Sequence, residues 1–487
     1  MTDNTIMAEL DFRKIRFGKT DAKDERDEYP QLLLDGYLDV DNVVQQAKDS
    51  SKYLFLGYKG SGKTALSEHL ALSMDENINV DIQSLNRFPY KSFAKIVSGD
   101  SEIEVKTRIA WRWLLMIKTL SLQKTDTCAK STRTDELEKT INILTQAGLF
   151  PVLDISSLVS KSSTNTFKAS IKAFSAERTT TTENASVSLE MMLDYVEGLT
   201  LSFTEGQQQL LIIDGLDDIL TTRNDQYIAT AALINEVKFL NAKFKQHNIP
   251  IKIIVLCRTD IFERLPDPNK NKIRRDNAFL FNWYQEGVEN QENCGLVQIA
   301  NKRAKITYPD IEDMFTEFFP TTYHRKNVRS ALLDMTRHTP RDFMQLLISI
   351  QNNCQGSKVT LSDIERGFKE YSQNYFVPEI KDEMSGYIAV ELQDPILNLL
   401  ASFRKREFSF VDLDKKFRAS AVFKSSSLTL LDICNILYEC SAIGHAIPVN
   451  KGQDTHFTFK FRNLYSTFNP DNRIVLHSGF WKSLDIH

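Results

Sequence analysis

The chain has 487 residues, 42% of them hydrophobic and 25% charged, a composition typical of globular proteins and a length that suits about three domains. Its 60 Lys and Arg against 64 Asp and Glu give a net charge of −4, which excludes a protein that coats nucleic acid through bulk positive charge. The 18 Gly, 13 Pro and 6 Cys are too few for collagen-like, disordered or disulfide-scaffold chains. No run approaches the ~20 apolar residues that span a bilayer, and the charged start is unlike a signal peptide. We therefore expect a cytoplasmic protein with no membrane partner.

Alternating strand and helix patterns follow a charged start. Residues 1–30 are polar and are predicted to form an N-terminal arm. Within residues 31–320, helical patterns separate four apolar runs of strand length: 52–56, 78–82, 209–213 and 251–256. This alternation predicts an α/β domain in which a parallel sheet is sandwiched by helices. A segment rich in Ser and Thr, at about 155–188, is predicted to be an insertion that is partly strand.

Two further domains are predicted after the α/β domain. Residues 321–385 have a mostly helical pattern, which predicts a helical lid. Residues 386–487 pass from short helices to paired strand-like runs, the pattern of a winged-helix-like domain. Such a domain binds either duplex DNA or another protein, and grouped basic residues keep the DNA hypothesis open. These residues are Arg404, Lys405, Arg406, Lys415, Lys416, Arg418 and Lys424.

The segment Gly57–Thr64 fits the phosphate-loop pattern G-x-x-x-x-G-K-[ST] at every position, between a strand pattern and a helix pattern. Glycines let the backbone wrap an anion, and successive N–H groups form a nest for phosphate oxygens at a helix N-terminus. Lys63 is expected to contact the β- and γ-phosphates, and the Thr64 hydroxyl to bind Mg²⁺. The predicted nucleotide-binding residues of this segment are Gly57, Tyr58, Lys59, Gly60, Ser61, Gly62, Lys63 and Thr64.

A second motif follows the apolar run 210–213, which predicts a buried strand ending at Asp214. A carboxylate at the carboxyl end of such a strand is well placed to hold Mg²⁺. One turn further on, Asp217 is expected to position the attacking water, with Asp218 as the alternative. Gly215 occupies the position where many hydrolysing motors carry a glutamate, so slow hydrolysis is expected.

Arginines follow two later elements. Arg258 ends an apolar run and is expected to sense the γ-phosphate, while Arg341 follows Pro340 at a predicted helix start. A guanidinium binds phosphate oxygens bidentately, and an ion pair with a neighbouring acid is the alternative for each residue. Arg274 and Arg275 belong to a basic cluster further along the chain. Two interpretations of the cluster are open: one of these arginines reaches the nucleotide of a neighbouring subunit, or the cluster is a solvated run of charges.

Four motifs, in their order along the chain, resemble those of STAND and AAA+-type P-loop ATPases, particularly bacterial ones with a C-terminal winged helix. They are the phosphate loop, the strand ends at Asp214 and Arg258, and the turn Thr339–Asp342. The resemblance covers roughly residues 31–345. It implies that Asp214 handles Mg²⁺, that Asp217 helps catalysis, and that Arg258 and Arg341 are sensors. It also implies a setting in bacterial defence against phage. Because no repeat domain or effector module is visible, a sensor or effector would be a separate protein.

The resulting hypothesis is a slow ATPase that uses ATP and Mg²⁺ for a conformational switch, with Lys63, Asp214, Asp217 and Arg258 as catalytic residues. ATP is expected rather than GTP only because it is the commoner substrate of such proteins. We also expect the protein to form a homo-oligomer. Three alternatives stay open: an ATP-dependent DNA-binding or DNA-remodelling protein, a small-molecule phosphotransferase, and a non-hydrolysing scaffold.

Overall fold

The computed structural model describes residues 10–73, 77–97, 102–167, 169, 185–216, 224–285, 294–425, 428–449 and 454–486. They belong to two compact units. The sheet unit comprises Asp41–Lys59 and Leu66–Phe281. The helical unit comprises Met1–Val40, Gly60–Ala65 and Asn282–His487. The phosphate-loop sequence thus passes from the sheet unit into the helical unit and back.

The described part of the predicted N-terminal arm is folded rather than extended. It forms a 3-10 turn (Phe12–Lys14) and helix α1 (Ala22–Glu28), and helix α2 (Pro30–Asp35) begins at its last residue. Three apolar side chains spaced among the charges explain the difference, since Phe12, Ile15 and Phe17 are each at most 2% exposed. A count of charged residues alone does not reveal these buried apolar side chains.

The sheet unit is built on five parallel strands, which confirms the predicted α/β class with a central parallel sheet. In chain order, the strands of this unit are β1 (Leu54–Gly57), β2 (Ile78–Ser84), β3 (Lys130–Ser131), β4 (Phe203–Glu205), β5 (Gln208–Asp214), β6 (Ile251–Arg258) and β7 (Ala278–Leu280). The spatial order is β2-β5-β6-β1-β7, and β3 pairs separately with β4. The runs 210–213 and 253–256 are buried, as continuous apolar strands are in a sheet covered on both faces.

Helices connect and cover these strands. They are α3 (Val43–Asp49), α4 (Lys63–Leu72), α5 (Tyr90–Phe93), α6 (Ile103–Thr125), α7 (Thr134–Gln146), α8 (Ile155–Ser162), α9 (Ala185–Thr200), α10 (Asn224–Gln246), α11 (Thr259–Arg264) and α12 (Lys270–Asn277). Trp111 and Trp113 on α6 are buried in the core. The Ser/Thr-rich segment is helical at its described ends, α8 and α9, whereas residues 168 and 170–184 lie outside the described residues.

In the described residues that follow Asn282, the helical unit continues with helices and a short β-hairpin. Its elements are α13 (Gly295–Thr307), α14 (Met314–Phe318), β8 (Thr322–Tyr323), β9 (Lys326–Asn327), α15 (Val328–Asp334), α16 (Pro340–Asn353), α17 (Leu361–Tyr371), a π-helical turn (Ser372–Phe376) and α18 (Val377–Met384). Helix α16 begins at a strong start signal, because Thr339 caps it through a hydrogen bond from the Asp342 N–H and Pro340 is its first residue.

The last part of the helical unit combines three helices with an antiparallel sheet. Its elements are α19 (Val390–Ala401), β10 (Glu407–Phe408), α20 (Phe410–Ala419), a 3-10 turn (Ala421–Ser425), α21 (Leu430–Glu439), β11 (Ile443–Val449), β12 (Asp454–Thr458) and β13 (Arg473–Leu476). The sheet order is β10-β13-β11-β12. In the described parts of both units, no helix is long and apolar enough to cross a membrane.

Candidate functional site

The loop between β1 and α4 has the backbone of an anion cradle. Gly60 and Gly62 adopt φ angles of +79° and +98°, in a region that residues with a side chain rarely enter. A Cβ built on Gly62 would meet no atom within 4 Å, so the space beside this residue is open. Both glycines therefore have the conformation that a phosphate-binding nest requires.

The polar side chains of this loop are partly or fully buried. Lys63 and Thr64 open α4, where the helix dipole favours an anion. Lys63 is 6% exposed and Ser61 is 2% exposed, while Tyr58 and Thr64 are half-buried. Among the described residues, the Ser61 hydroxyl has no hydrogen-bond partner. A buried polar group of this kind is suited to a polar ligand.

Three predicted residues end neighbouring strands at one edge of the sheet. Gly57 is in register with Arg258, and β6 lies between β1 and β5, which ends at Asp214. The Asp214 side chain is buried, and its Oδ1 accepts the Gly215 N–H at 2.7 Å. The Asp214 main-chain carbonyl accepts the Leu85 N–H at 2.7 Å. The carboxylate is thus held by its own turn, and the main chain of Asp214 is held by the end of the neighbouring strand β2.

The position after Asp214 requires glycine. Gly215 has a φ of +81°, and a Cβ there would lie 2.2 Å from Oδ1 of Asn86. Backbone conformation and the contact with Asn86 therefore both exclude the glutamate that faster hydrolases carry. Asp217 and Asp218, predicted to position water, lie outside the described residues.

Arg258 forms a bidentate ion pair with Asp260, two residues further along the chain. Its Nε and Nη2 donate to the two carboxylate oxygens at 3.0 and 2.8 Å. The exposed fractions of the two side chains are 15% and 11%. This pair is the alternative that the sequence offered for Arg258, and its sensor role remains a prediction.

Arg341 contacts the phosphate loop directly. Its main-chain N–H donates to the Gly60 carbonyl at 3.3 Å. A Cβ built on Gly60 would lie 3.0 Å from the Arg341 Cβ and 3.2 Å from the Thr339 Oγ1. The Arg341 guanidinium reaches Glu379, with Nη1 and Oε1 3.6 Å apart. The predicted second sensor is therefore packed against the loop that it would read.

A buried charge network fixes the start of α16 behind this contact. Arg337 binds both carboxylate oxygens of Asp342 at 2.9 and 3.0 Å, and it also pairs with Glu383. Burial alone would raise the pKa of Asp342, but the Arg337 guanidinium holds that pKa below its usual value. The Tyr375 hydroxyl donates to Asp342 at 2.8 Å. Glu383 and Tyr375 escaped the sequence analysis because they lie 46 positions from Arg337 and 33 positions from Asp342, respectively.

Trp283 is another loop contact that the sequence analysis did not find. Its indole Nε1 donates to the Ser61 carbonyl at 2.8 Å. No motif surrounds Trp283, and a single tryptophan after a short strand carries no signal of its own. Asn86, which packs against Gly215, was missed for the same reason.

The remaining predicted cations have local partners or lie on the surface. Arg274 pairs with Glu263, and Arg275 is exposed. In the C-terminal basic group, Arg418 pairs with Asp414 at 2.7 Å, and Arg406 stacks over Trp481 at 3.8 Å. Intrahelical pairing reduces the charge that the group offers to a duplex.

Comparison with known protein families gives a match for one stretch of the helical unit. Residues 295–377 match the family described as the FunZ-associated C-terminal helical domain. The sequence has no significant match among curated proteins. The Orc1 protein of Aeropyrum pernix, solved in complex with DNA, aligns over 94% of this chain and 94% of its own, at 12% identity and a TM-score of 0.37. That similarity is too low to assign a fold or a function.

Proposed function

We propose that the protein is a P-loop ATPase that uses ATP binding and slow hydrolysis as a conformational switch. The observation that carries this proposal is the contact between the phosphate loop and the turn Thr339–Asp342. Because the Arg341 N–H donates to the Gly60 carbonyl, any shift of the loop on binding phosphate also moves the start of α16. The guanidinium of the same residue is the group suited to bind the γ-phosphate.

Each loop residue has a proposed role. The loop amides and Lys63 bind the phosphates, and the open space beside Gly62 leaves room for them. Mg²⁺ prefers oxygen ligands, which the Thr64 hydroxyl and the Asp214 carboxylate supply. When bound, Mg²⁺ neutralises charge on the phosphates. Asp217 positions water and Arg258 senses the γ-phosphate.

Slow turnover follows from the turn after Asp214. No carboxylate can occupy the position of Gly215 without displacing Asn86 and straining the backbone. The water-positioning group must therefore come from a residue further along the chain, for which Asp217 is the candidate.

The C-terminal part of the helical unit is proposed to be a winged helix. The order of α19, β10, α20, α21, β11 and β12 supports this, since helices are followed by a paired antiparallel ribbon. The exposed residues of α21 are Leu431, Asp432 and Asn435, none of which is a cation. This favours a separate protein partner over duplex DNA, which binds basic surfaces.

The test combines ATP binding by calorimetry with phosphate release in Mg²⁺. Wild-type protein is expected to bind ATP and turn it over at about 1 s⁻¹ or less, the low end for enzymes. Lys63→Ala should lose binding and turnover, whereas Lys161→Ala, an exposed lysine on α8, should behave as wild type. Normal binding and turnover in Lys63→Ala would refute the proposal.

The same assay distinguishes the three alternatives when duplex DNA or a small-molecule acceptor is added to it. Turnover that rises when duplex DNA is added would favour the DNA-linked ATPase. ADP release that depends on an added small-molecule acceptor would favour the phosphotransferase. Binding of ATP with no phosphate release under any condition would favour the scaffold.

A further inference from the structure

We infer that Trp283 is a positioning residue of the phosphate loop, whose indole N–H holds the Ser61 carbonyl and so aims the Gly62 N–H at the phosphates. The inference rests on the proposed nucleotide binding and adds to it a residue outside the loop motif. All of the residues that carry it lie within the helical unit.

The indole is a well-fixed donor. Its Nε1 lies 2.8 Å from the Ser61 carbonyl oxygen, and Ser61 is 2% exposed. A Cβ built on Gly295 would lie 3.1 Å from the Trp283 Cε3 and Cζ3, so the ring packs closely on the start of α13. The same Cβ would lie 4.0 Å from Leu38. Close packing at Gly295 leaves the ring little freedom to turn away from the loop.

The effect on the loop follows from peptide geometry. In a trans peptide the carbonyl of one residue and the N–H of the next point in opposite directions. Fixing the Ser61 carbonyl therefore fixes the direction of the Gly62 N–H. The adjacent peptide is held in the same way, because the Arg341 N–H donates to the Gly60 carbonyl at 3.3 Å and so orients the Ser61 N–H. The N–H groups of Ser61 and Gly62, which are successive in the nest, are thus both oriented by hydrogen bonds to the carbonyl groups that precede them.

Removal of the indole N–H has a specific consequence. The Ser61 carbonyl is left buried without this donor, and the peptide between Ser61 and Gly62 is freer to rotate because glycine permits both signs of φ. A rotated peptide turns a carbonyl, which repels anions, toward the phosphates. Loss of one buried hydrogen bond is expected to weaken phosphate binding about tenfold.

The test variant is Trp283→Phe, which keeps an aromatic ring and removes the donor. The matched control is Trp481→Phe, which removes an indole hydrogen bond to the Leu476 carbonyl (3.3 Å) in the same unit. Calorimetry measures the Kd for ATP and for inorganic tripolyphosphate, a probe without a base. Trp283→Phe is expected to raise both Kd values about tenfold, and Trp481→Phe to change neither.

Several results would overturn the inference. Unchanged Kd values in Trp283→Phe would show that the donor does not orient the loop. A higher Kd for ATP with an unchanged Kd for tripolyphosphate would assign Trp283 to the base or sugar instead. Failure of wild-type protein to bind either probe would refute the proposed function itself. If Trp283→Phe melts below wild type without ligand, Trp283→Leu, which also lacks a donor, replaces it and is measured well below its melting temperature, with the same expected and overturning results.

Discussion

At the scale of single residues, Gly62 is proposed to determine how closely a phosphate approaches the loop. Its φ of +98° is unfavourable for any residue with a Cβ, and the space where that Cβ would sit is open. Gly62→Ala is therefore expected to cost about 1 kcal/mol of stability through the backbone. The added methyl also occupies the proposed phosphate cradle, so nucleotide affinity should fall at least about tenfold, equivalent to 1.4 kcal/mol.

Gly148 offers a matched control for this prediction. It has a φ of +70° and equally open surroundings, but it follows α7 and has no proposed ligand. Gly148→Ala should lower the melting temperature by a similar amount and leave the affinity for ATP unchanged. Equal affinities of the two variants for ATP would contradict a phosphate site at Gly62.

The sequence pattern predicted the loop residues but not their partners. The motif Gly57–Thr64 specifies residue types along a continuous segment, which one chain displays directly. Trp283 is 222 positions away from Ser61, and the contact depends on how the helical unit folds. Asn86 and Gly215 likewise meet only because their strands, β2 and β5, are paired.

At the scale of elements, the turn before α16 joins the phosphate loop to the C-terminal sheet within the helical unit. Arg341 contacts Gly60 at one end of this turn. His338 stacks on Phe461, with ring centroids 5.1 Å apart, and the Thr336 carbonyl lies 3.2 Å from the His477 Nε2. The turn is thus the physical link between the loop and the proposed winged helix.

Buried histidines at this link predict a dependence of stability on pH. Burial, together with the nearby Arg462 and His477, lowers the pKa of His338 to about 3. An unfolded histidine titrates near pH 6.5, so between pH 6.5 and about 3 the unfolded chain binds a proton that the folded chain does not. Stability should therefore fall as the pH is lowered through this range, by roughly 1.4 kcal/mol per pH unit for His338.

The measurement is chemical unfolding at several pH values between 4 and 7 for wild type and His338→Asn. Asparagine tolerates the positive φ of +52° at this position and does not titrate. His338→Asn should show the shallower loss of stability toward acid pH, whereas His247→Asn, at an exposed position in the sheet unit, should match wild type. The same slope in all three proteins would show that His338 is not held neutral by the fold.

Element prediction succeeded where one pattern dominated and failed where two competed. The continuous apolar runs of β5 and β6 were predicted as buried strands, and the structure confirms them. In residues 10–30 the abundant charges hid Phe12, Ile15 and Phe17, whose burial depends on tertiary contacts. The start of α16 was predicted correctly because Pro340 is a local signal for the first position of a helix.

At the scale of the whole chain, the proposed switch runs through the helical unit. It begins at Gly60–Ala65, passes through the turn Thr336–Asp342 and ends at the C-terminal sheet. Its sensor is Arg341, which contacts Glu379 in the structure and is proposed to contact the γ-phosphate when ATP is bound. We propose that the Arg341 guanidinium contacts the γ-phosphate in the ATP-bound state and Glu379 in the ADP-bound state.

The most direct measurement is hydrogen exchange of residues 336–344 in Mg²⁺ with ATP, with ADP and without nucleotide. The account predicts that exchange of this segment differs at least about tenfold between ATP and ADP, a coupling of 1.4 kcal/mol. The core segment 110–120 of α6 should not change. In Arg341→Ala the difference between ATP and ADP should disappear while both still bind. Identical exchange of residues 336–344 in all three states of wild-type protein, with both nucleotides bound, would contradict the switch.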